Sequence, residues 1–211
     1  MDENVVAAMA RWPDVPDVFG WLSLTERGEW RLHPRGDALD AHLAAGQGLE
    51  RGEAISSPPI LRFIDRNYGA DEAGQWYFQN GPQKVYVRLD AAPYVVHATG
   101  GPDNGPSLTT HNGLPVNELR GWWLDDEGRL YTQTEHGPAL VAGRDLESVL
   151  SWLRAPDGGT ALEWLEARPW AAADVLTVEW AGIPEPSAEL RFCPARAIPG
   201  TLGFVARPRP A

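Results

Sequence analysis

Five histidines, His33, His42, His97, His111 and His136, are the residues of this 211-residue chain best suited to metal ligation or general-base chemistry. None stands at the spacing of a ligand pair. There is no H-E-x-x-H, no Cys-x-x-Cys and no close run of histidine and carboxylate, so a metal site would have to assemble from distant loops. His97 and His111 come nearest, in PYVVHAT and SLTTHN, two strand-like segments joined by a short polar connection. Antiparallel pairing would bring the imidazoles near each other, but their unequal offsets from the connection do not require direct contact. Cross-strand or surface histidines explain both better than a ligand pair.

The nucleophiles are no better placed. G-x-S-x-G is absent, and Ser148 and Ser151 fall inside a helical period that already explains them. The single cysteine, Cys193, lies in RFCPAR beside nothing that would activate a thiol, and reads as a small buried hydrophobe. Asp125, Asp126 and Glu127 make an acidic trio before Gly128, where a turn between strands selects such residues. No glycine-rich phosphate loop follows a strand and opens a helix. No catalytic residue, metal or cofactor is expected.

Two groups remain with the character of binding residues. After Asn80-Gly81, Lys84, Tyr86 and Arg88 alternate with Val85, Val87 and Leu89, so one strand face is apolar and the other basic and aromatic. A solvated strand face explains that alternation. On a chain of net charge −11, however, a local positive and aromatic stripe also suits an anionic group. Among the ten tryptophans, Trp122 and Trp123 are adjacent on a strand and point to opposite faces. Either both faces there are covered, by a helix or by a dimer interface, or one indole is exposed to stack a ligand or anchor a partner. The candidate ligand-binding residues are therefore Lys84, Tyr86, Arg88, Trp122, Trp123, His97 and His111.

The elements that must position these residues follow from punctuation and period. A helix over 3–11, capped by Asp2 and stopped at Pro13, leads to a hairpin in GWLSLTERGEWRLHP. There Leu22 and Leu24 share one face, Trp30 and Leu32 share another, and Glu26-Arg27-Gly28 makes the reversal. Asp37 is placed to cap a helix over ALDAHLAA ending at Gly46. A stronger helix follows Ser57, with Pro58 at its first position, an apolar stripe of Ile60, Leu61 and Ile64, and Gly69 as its stop. Residues 75–135 read as one curved antiparallel sheet: WYFQ and KVYVRL around Asn80-Gly81, then PYVVHAT, SLTTHN, VNELRGWWL and RLYTQT. RDLESVLSWLR and TALEWLEAR are helical, the second with a capping box of Thr160 and Glu163. DVLTVEWAG, AELRF and TLGFVA form a small closing sheet. An acidic residue, a glycine and an aromatic-led strand recur in TERGEW, DEAGQWYF and DDEGRLY, a hairpin habit without a repeat period.

Three stretches of this order resemble a known family. The helix Pro58 to Phe63, the turn Asp71 to Tyr77, and the strand from Pro82-Gln83-Lys84 to Asp90-Ala91-Ala92-Pro93-Tyr94 are similar to the pattern of the proteobacterial domain of unknown function 1285. The resemblance covers residues 18–153 and implies small antiparallel rolls with helices; it implies no function. The tail from residue 156 departs from the pattern.

Composition sets the outer limits. A hydrophobic fraction of 43% supplies a core, the single cysteine fits a reducing compartment, and Asp2 and Glu3 stand where a secretory signal would carry positive charge. No apolar run approaches the ~20 residues a membrane helix requires. An excess of acid disfavours nucleic acid as a partner. The expectation is a cytoplasmic α+β protein, mainly an antiparallel β-roll or meander with accessory helices, in three parts: 1–57, 58–155 and 156–211. Its expected role is a non-catalytic binding module for a protein or a small anionic ligand. The alternative is a small cytoplasmic enzyme whose site comes from scattered loop residues.

Overall fold

The computed structural model describes residues 1–39, 51–100, 105–167, 174–180 and 187–210. Among these, five α-helices and fifteen strands make an α+β fold, with ten antiparallel strand ladders and three parallel ones. No helix among the described residues is long and apolar enough to cross a membrane. The chain divides into two compact units, Met1–Ala91 with Gly203–Ala211, and Ala92–Leu202.

The first unit contains α1 (Glu3–Arg11), β1 (Val18–Leu24), β2 (Trp30–Leu32), β3 (Glu53–Ala54), α2 (Pro58–Arg66), β4 (Tyr68–Ala70), β5 (Trp76–Asn80) and β6 (Gln83–Leu89). Its sheet runs β3-β2-β1-β6-β5-β4. The register sets Leu22 opposite Leu32, Leu24 opposite Trp30, and Leu22 and Leu24 beside Val87 and Leu89 of the parallel β6. Directly paired residues point to the same side. All four apolar residues of the hairpin therefore share one face, not two, and Leu24 and Val87 are fully buried in it.

Helix α1 spans residues 3–11 with Asp2 at its N-cap position, as expected, but the side-chain bonds at the ends of the two helices differ from the sequence reading. Asp2 does not cap α1 with its side chain; its carboxylate holds Arg66 of α2 through two bonds of 2.9 Å, which keeps its pKa below the ordinary range. Helix α2 stops at Asn67, two residues before Gly69, because the Asn67 amide donates to the Phe63 carbonyl and so occupies an end-of-helix acceptor. Along α2, Ile64 is buried but Ile60 is half exposed, so the apolar stripe is only partly seated. Of the helix expected over ALDAHLAA, Ala38 and Leu39 lie in a turn, and the rest, with His42, lies outside the described residues.

The second unit contains β7 (Tyr94–Thr99), β8 (Ser107–Thr110), β9 (Pro115–Val116), β10 (Leu119–Leu124), β11 (Leu130–Thr134), β12 (Gly137–Val141), α3 (Leu146–Trp152), β13 (Leu153–Arg154), α4 (Ala161–Ala167), β14 (Val175–Trp180), β15 (Ala188–Phe192) and α5 (Ile198–Leu202). Its sheet runs β13-β14-β15-β10-β11-β12-β7-β8-β9. Residues 75–135 are thus not one sheet. Strand β6 pairs with β1 instead of β7, Asp90 N–H closes on the Leu24 carbonyl, and Pro93, which has no N–H to donate, separates the two ladders. Nor is there a separate closing sheet: β14 and β15 extend the second unit's sheet through β10, while Thr201 and Leu202 are helical and Val205 makes one bridge to Gln75 in the first unit. The Thr160–Glu163 capping box forms as expected, with reciprocal bonds of 2.8 and 3.1 Å.

One turn geometry recurs at Thr25–Glu29, Asp71–Gln75, Thr110–Leu114, Asp125–Arg129 and Ala155–Gly159. In each, the first residue's N–H donates to the fifth residue's carbonyl and the glycine at position four donates back to the first. These glycines have φ between 76 and 87°, the left-handed conformation that a three-residue hairpin loop with a bulge requires. The acidic-glycine-aromatic grammar of the sequence is this turn.

Candidate functional site

On the face of the first sheet opposite its apolar core, the ladder register sets Arg31 of β2, Ser23 of β1 and Arg88 of β6 in one row. Arg88 is 2% exposed and fixed on three sides. Its Nε donates to Asp90 Oδ1 at 2.9 Å, Nη1 to the Ala38 carbonyl at 2.8 Å and Nη2 to Ser23 Oγ at 3.4 Å. Above the row opens a cavity of about 410 Å³, bounded by the Thr25 turn, Arg31, Arg51, Arg88 and Asp90. Four guanidinium groups face three carboxylates there, those of Glu26, Glu29 and Asp90.

The positive charges are unequally used. Arg88 is paired with Asp90 and Arg31 with Glu29. Among the described residues the guanidinium groups of Arg27 and Arg51 make no ion pair, and Arg31 Nε is buried without a hydrogen-bond acceptor. The arrangement can hold an anion, since planar guanidinium groups present paired N–H donors to carboxylate or phosphate oxygens.

The other residues singled out from sequence are placed as follows. Lys84, Tyr86 and Arg88 do share a face, but it is not a continuous surface stripe, because Tyr86 and Arg88 are buried. Lys84 lies over the Tyr77 ring at 4.9 Å. Tyr86 stacks on Phe19 with ring centroids 4.5 Å apart, and its hydroxyl donates to Asp71 Oδ2 at 3.1 Å. Burial, and after it the Asp71 carboxylate, push the Tyr86 pKa up to about 12. Of the three, only Arg88 borders the cavity.

Trp122 is fully buried against Trp180, and Trp123 is half-buried, folded back over Gly121, where a Cβ would come within 2.7 Å of its ring. Neither indole is a fully exposed stacking platform. His97 pairs across the ladder with Thr109, two residues short of His111, so the two histidines are near but not opposite. His111 accepts the Val95 N–H at Nδ1, and burial, with the neighbouring His97 second, lowers its pKa to about 4. His97 Nδ1 lies 3.6 Å from Asp145 Oδ2. No group of three or more His, Cys, Asp or Glu among the described residues could hold a metal ion.

One contact has the order of a nucleophile and its base: Ser23 Oγ lies 2.9 Å from His33 Nε2, and His33 Nδ1 lies 4.0 Å from Asp37 Oδ1. Ser23 and His33 are both fully buried, and Ser23 Oγ already accepts from Arg88. A substrate carbonyl cannot reach that hydroxyl, so the group acts as a brace behind Arg88. The acidic trio behaves as turn chemistry. Asp125 Oδ1 accepts the N–H groups of Glu127 and Arg129, and Oδ2 accepts from Arg129 Nε and the Tyr131 hydroxyl.

Arg27, Arg31 and Arg51 were not singled out by sequence reasoning. Arg27 and Arg31 lie in TERGEWRL, where the turn signal dominates, and only the β2-β1-β6 register reveals that Arg31 and Arg88 share a row. Arg51 carries no local signal at all.

The whole-chain comparison gives the class first: a family model of unknown function matches residues 1–209, described as "Protein of unknown function (DUF2946)". The chain belongs to that family, DUF2944. No curated protein matches it. The resemblance to domain of unknown function 1285 is met again among solved structures. A DUF1285 family protein from Silicibacter pomeroyi is similar at 18% identity with a TM-score of 0.46, covering 79% of this chain and 99% of that one. Another, from Shewanella baltica, is similar at 12% identity with a TM-score of 0.40, covering 61% and 89%.

Proposed function

We propose that this protein is a non-catalytic binding module whose first unit takes a small anionic ligand, bearing carboxylate or phosphate, in the cavity bordered by Arg27, Arg31, Arg51 and Arg88. The observation that carries the reading is the surplus of donors: the guanidinium groups of Arg27 and Arg51, which make no ion pair among the described residues, line one cavity together with Arg31 and Arg88 in an acidic chain. Arg88 and its brace supply a fixed wall, and the exposed side chains of Arg27 and Arg51 supply the closing charges. Glu26, Glu29 and Asp90 temper the site, so it favours a ligand of modest charge whose oxygens reach at least two guanidinium groups.

Calorimetric titration with citrate and with inorganic phosphate, at low ionic strength and with chloride as the control anion, tests the reading. Saturable 1:1 binding of citrate or phosphate is expected, weakening as salt is raised because the outer arginines are exposed. Heats no different from chloride for both anions would sink it.

A further inference from the structure

The opposite face of the same sheet carries a second cavity, of about 560 Å³. Its floor is the continuation of the core face: Val18 sits beside Val85, Phe78 opposite Val85, and Asn80 opposite Gln83 at the hairpin end. Towards Leu24 this face is sealed, but towards Asn80 it is not. Helix α2 seats Ile64 and sets Phe63 edge-on to Phe78 at 5.4 Å, then rises away, so Ile60 one turn earlier is 51% exposed. Leu32 and Trp21, the latter turned outward at the irregularity between Val18 and Leu22, complete a rim of exposed apolar side chains.

The lining chemistry restricts the occupant. Among the described residues none that line this cavity is charged, in a chain that is 22% charged. A charged group drawn into the cleft would lose its hydration without a partner, which is costly. Apart from the Trp21 indole N–H, the only polar groups among the described lining residues are the two amides of one rung. Gln83 is committed, its Nε2 donating to the Pro16 carbonyl at 3.0 Å, whereas the Asn80 amide makes no hydrogen bond among the described residues. The volume falls within the ~300–1,000 Å³ of small-molecule sites, which are apolar with few oriented polar groups.

From this we infer that the cleft between α2 and the β1–β6–β5 face binds one uncharged aliphatic molecule, its chain beneath Ile60 and its single hydrogen-bonding end at Asn80. The site is independent of the arginine cavity, which opens on the other face of the sheet.

The test is a fluorescence titration of the full chain with Nile red, followed by displacement with 1-decanol or with decanoate. Saturable 1:1 dye binding is expected, displaced by decanol at concentrations at least about tenfold lower than by decanoate, since the carboxylate would have to be desolvated or left outside. Ile60→Glu should abolish dye binding while leaving the thermal unfolding midpoint near wild type, because Ile60 is half exposed; Leu32→Glu is the second variant should the first fail to fold. Asn80→Ala should weaken decanol several-fold and leave the dye unchanged, and Arg27→Ala with Arg51→Ala should alter neither. Failure of decanol to displace the dye, or equal potency of decanoate, would overturn the inference. So would a sedimentation result in which wild type is a dimer that Ile60→Glu makes monomeric, for the face would then be a contact between copies.

Discussion

The turn at Thr25 in the first unit and the turn at Asp125 in the second have the same backbone hydrogen bonds and the same left-handed glycine, but they are closed by different chemistry. Thr25 Oγ1 accepts the N–H groups of Arg27 and Glu29 without carrying a charge. Asp125 accepts the equivalent pair with one oxygen and uses its other to neutralise Arg129. Where the carboxylate closes the turn, the arginine beside it is consumed internally. Where the hydroxyl closes it, Arg27 keeps its charge available at the rim of a cavity. The turn at Asp71 is intermediate: its second oxygen receives the Tyr86 hydroxyl at 3.1 Å, as Asp125 receives Tyr131 at 3.3 Å, but it has no arginine partner among the described residues.

Substitutions at these turns are the most direct way to break the comparison. Asp125→Ala strands two backbone donors and a partly buried guanidinium, and should cost about 3 kcal/mol by chemical denaturation. Thr25→Ala removes a neutral, exposed acceptor and should cost only about 1 kcal/mol. Equal losses would mean that charge has no part in the difference.

A pH experiment distinguishes the second unit in another way. His111 is held neutral, with a pKa lowered to about 4 against an ordinary value of 6.5. The unfolded chain therefore takes up a proton between pH 6.5 and 4 that the folded chain refuses. Stability contributed by the neutral ring is complete above pH 6.5 and falls with acidification by up to about 1.4 kcal/mol per pH unit, levelling off below pH 4. His111→Phe should flatten that slope in denaturation curves recorded across this window; an unchanged slope would assign it to other groups. A smaller effect, about 1.5 kcal/mol each, is expected for Tyr131→Phe and Tyr86→Phe, and similar values would establish that the two tyrosine–aspartate contacts do the same work in the two units.

Much of the local structure was legible in the sequence because it is written in neighbouring residues. The turns at Gly28, Gly74 and Gly128, helices α2, α3 and α4, and the Thr160–Glu163 box all depend on contacts within about five positions. What was not legible depends on distant pairing. The parallel ladders β1–β6, β12–β7 and β10–β15 join segments whose alternation fits an antiparallel meander equally well, so the break at Pro93 was missed. Burial of Tyr86 was hidden for the same reason, since the Phe19 ring that covers it comes from β1. The candidate site divides along this line: Arg88 was visible in a strand alternation, whereas Arg31 joins it only through the register of three strands.

The proposed anion site of the first unit depends on the arginine charge of Arg27 and Arg51, and titration of three proteins tests that dependence. Citrate is titrated into wild type, into Arg27→Ala with Arg51→Ala, and into Arg120→Ala, a control in the second unit whose exposed guanidinium is already paired with Glu118. At least about tenfold weaker binding is expected for the double variant, and wild-type affinity for the control. Equal affinity in all three proteins would contradict it.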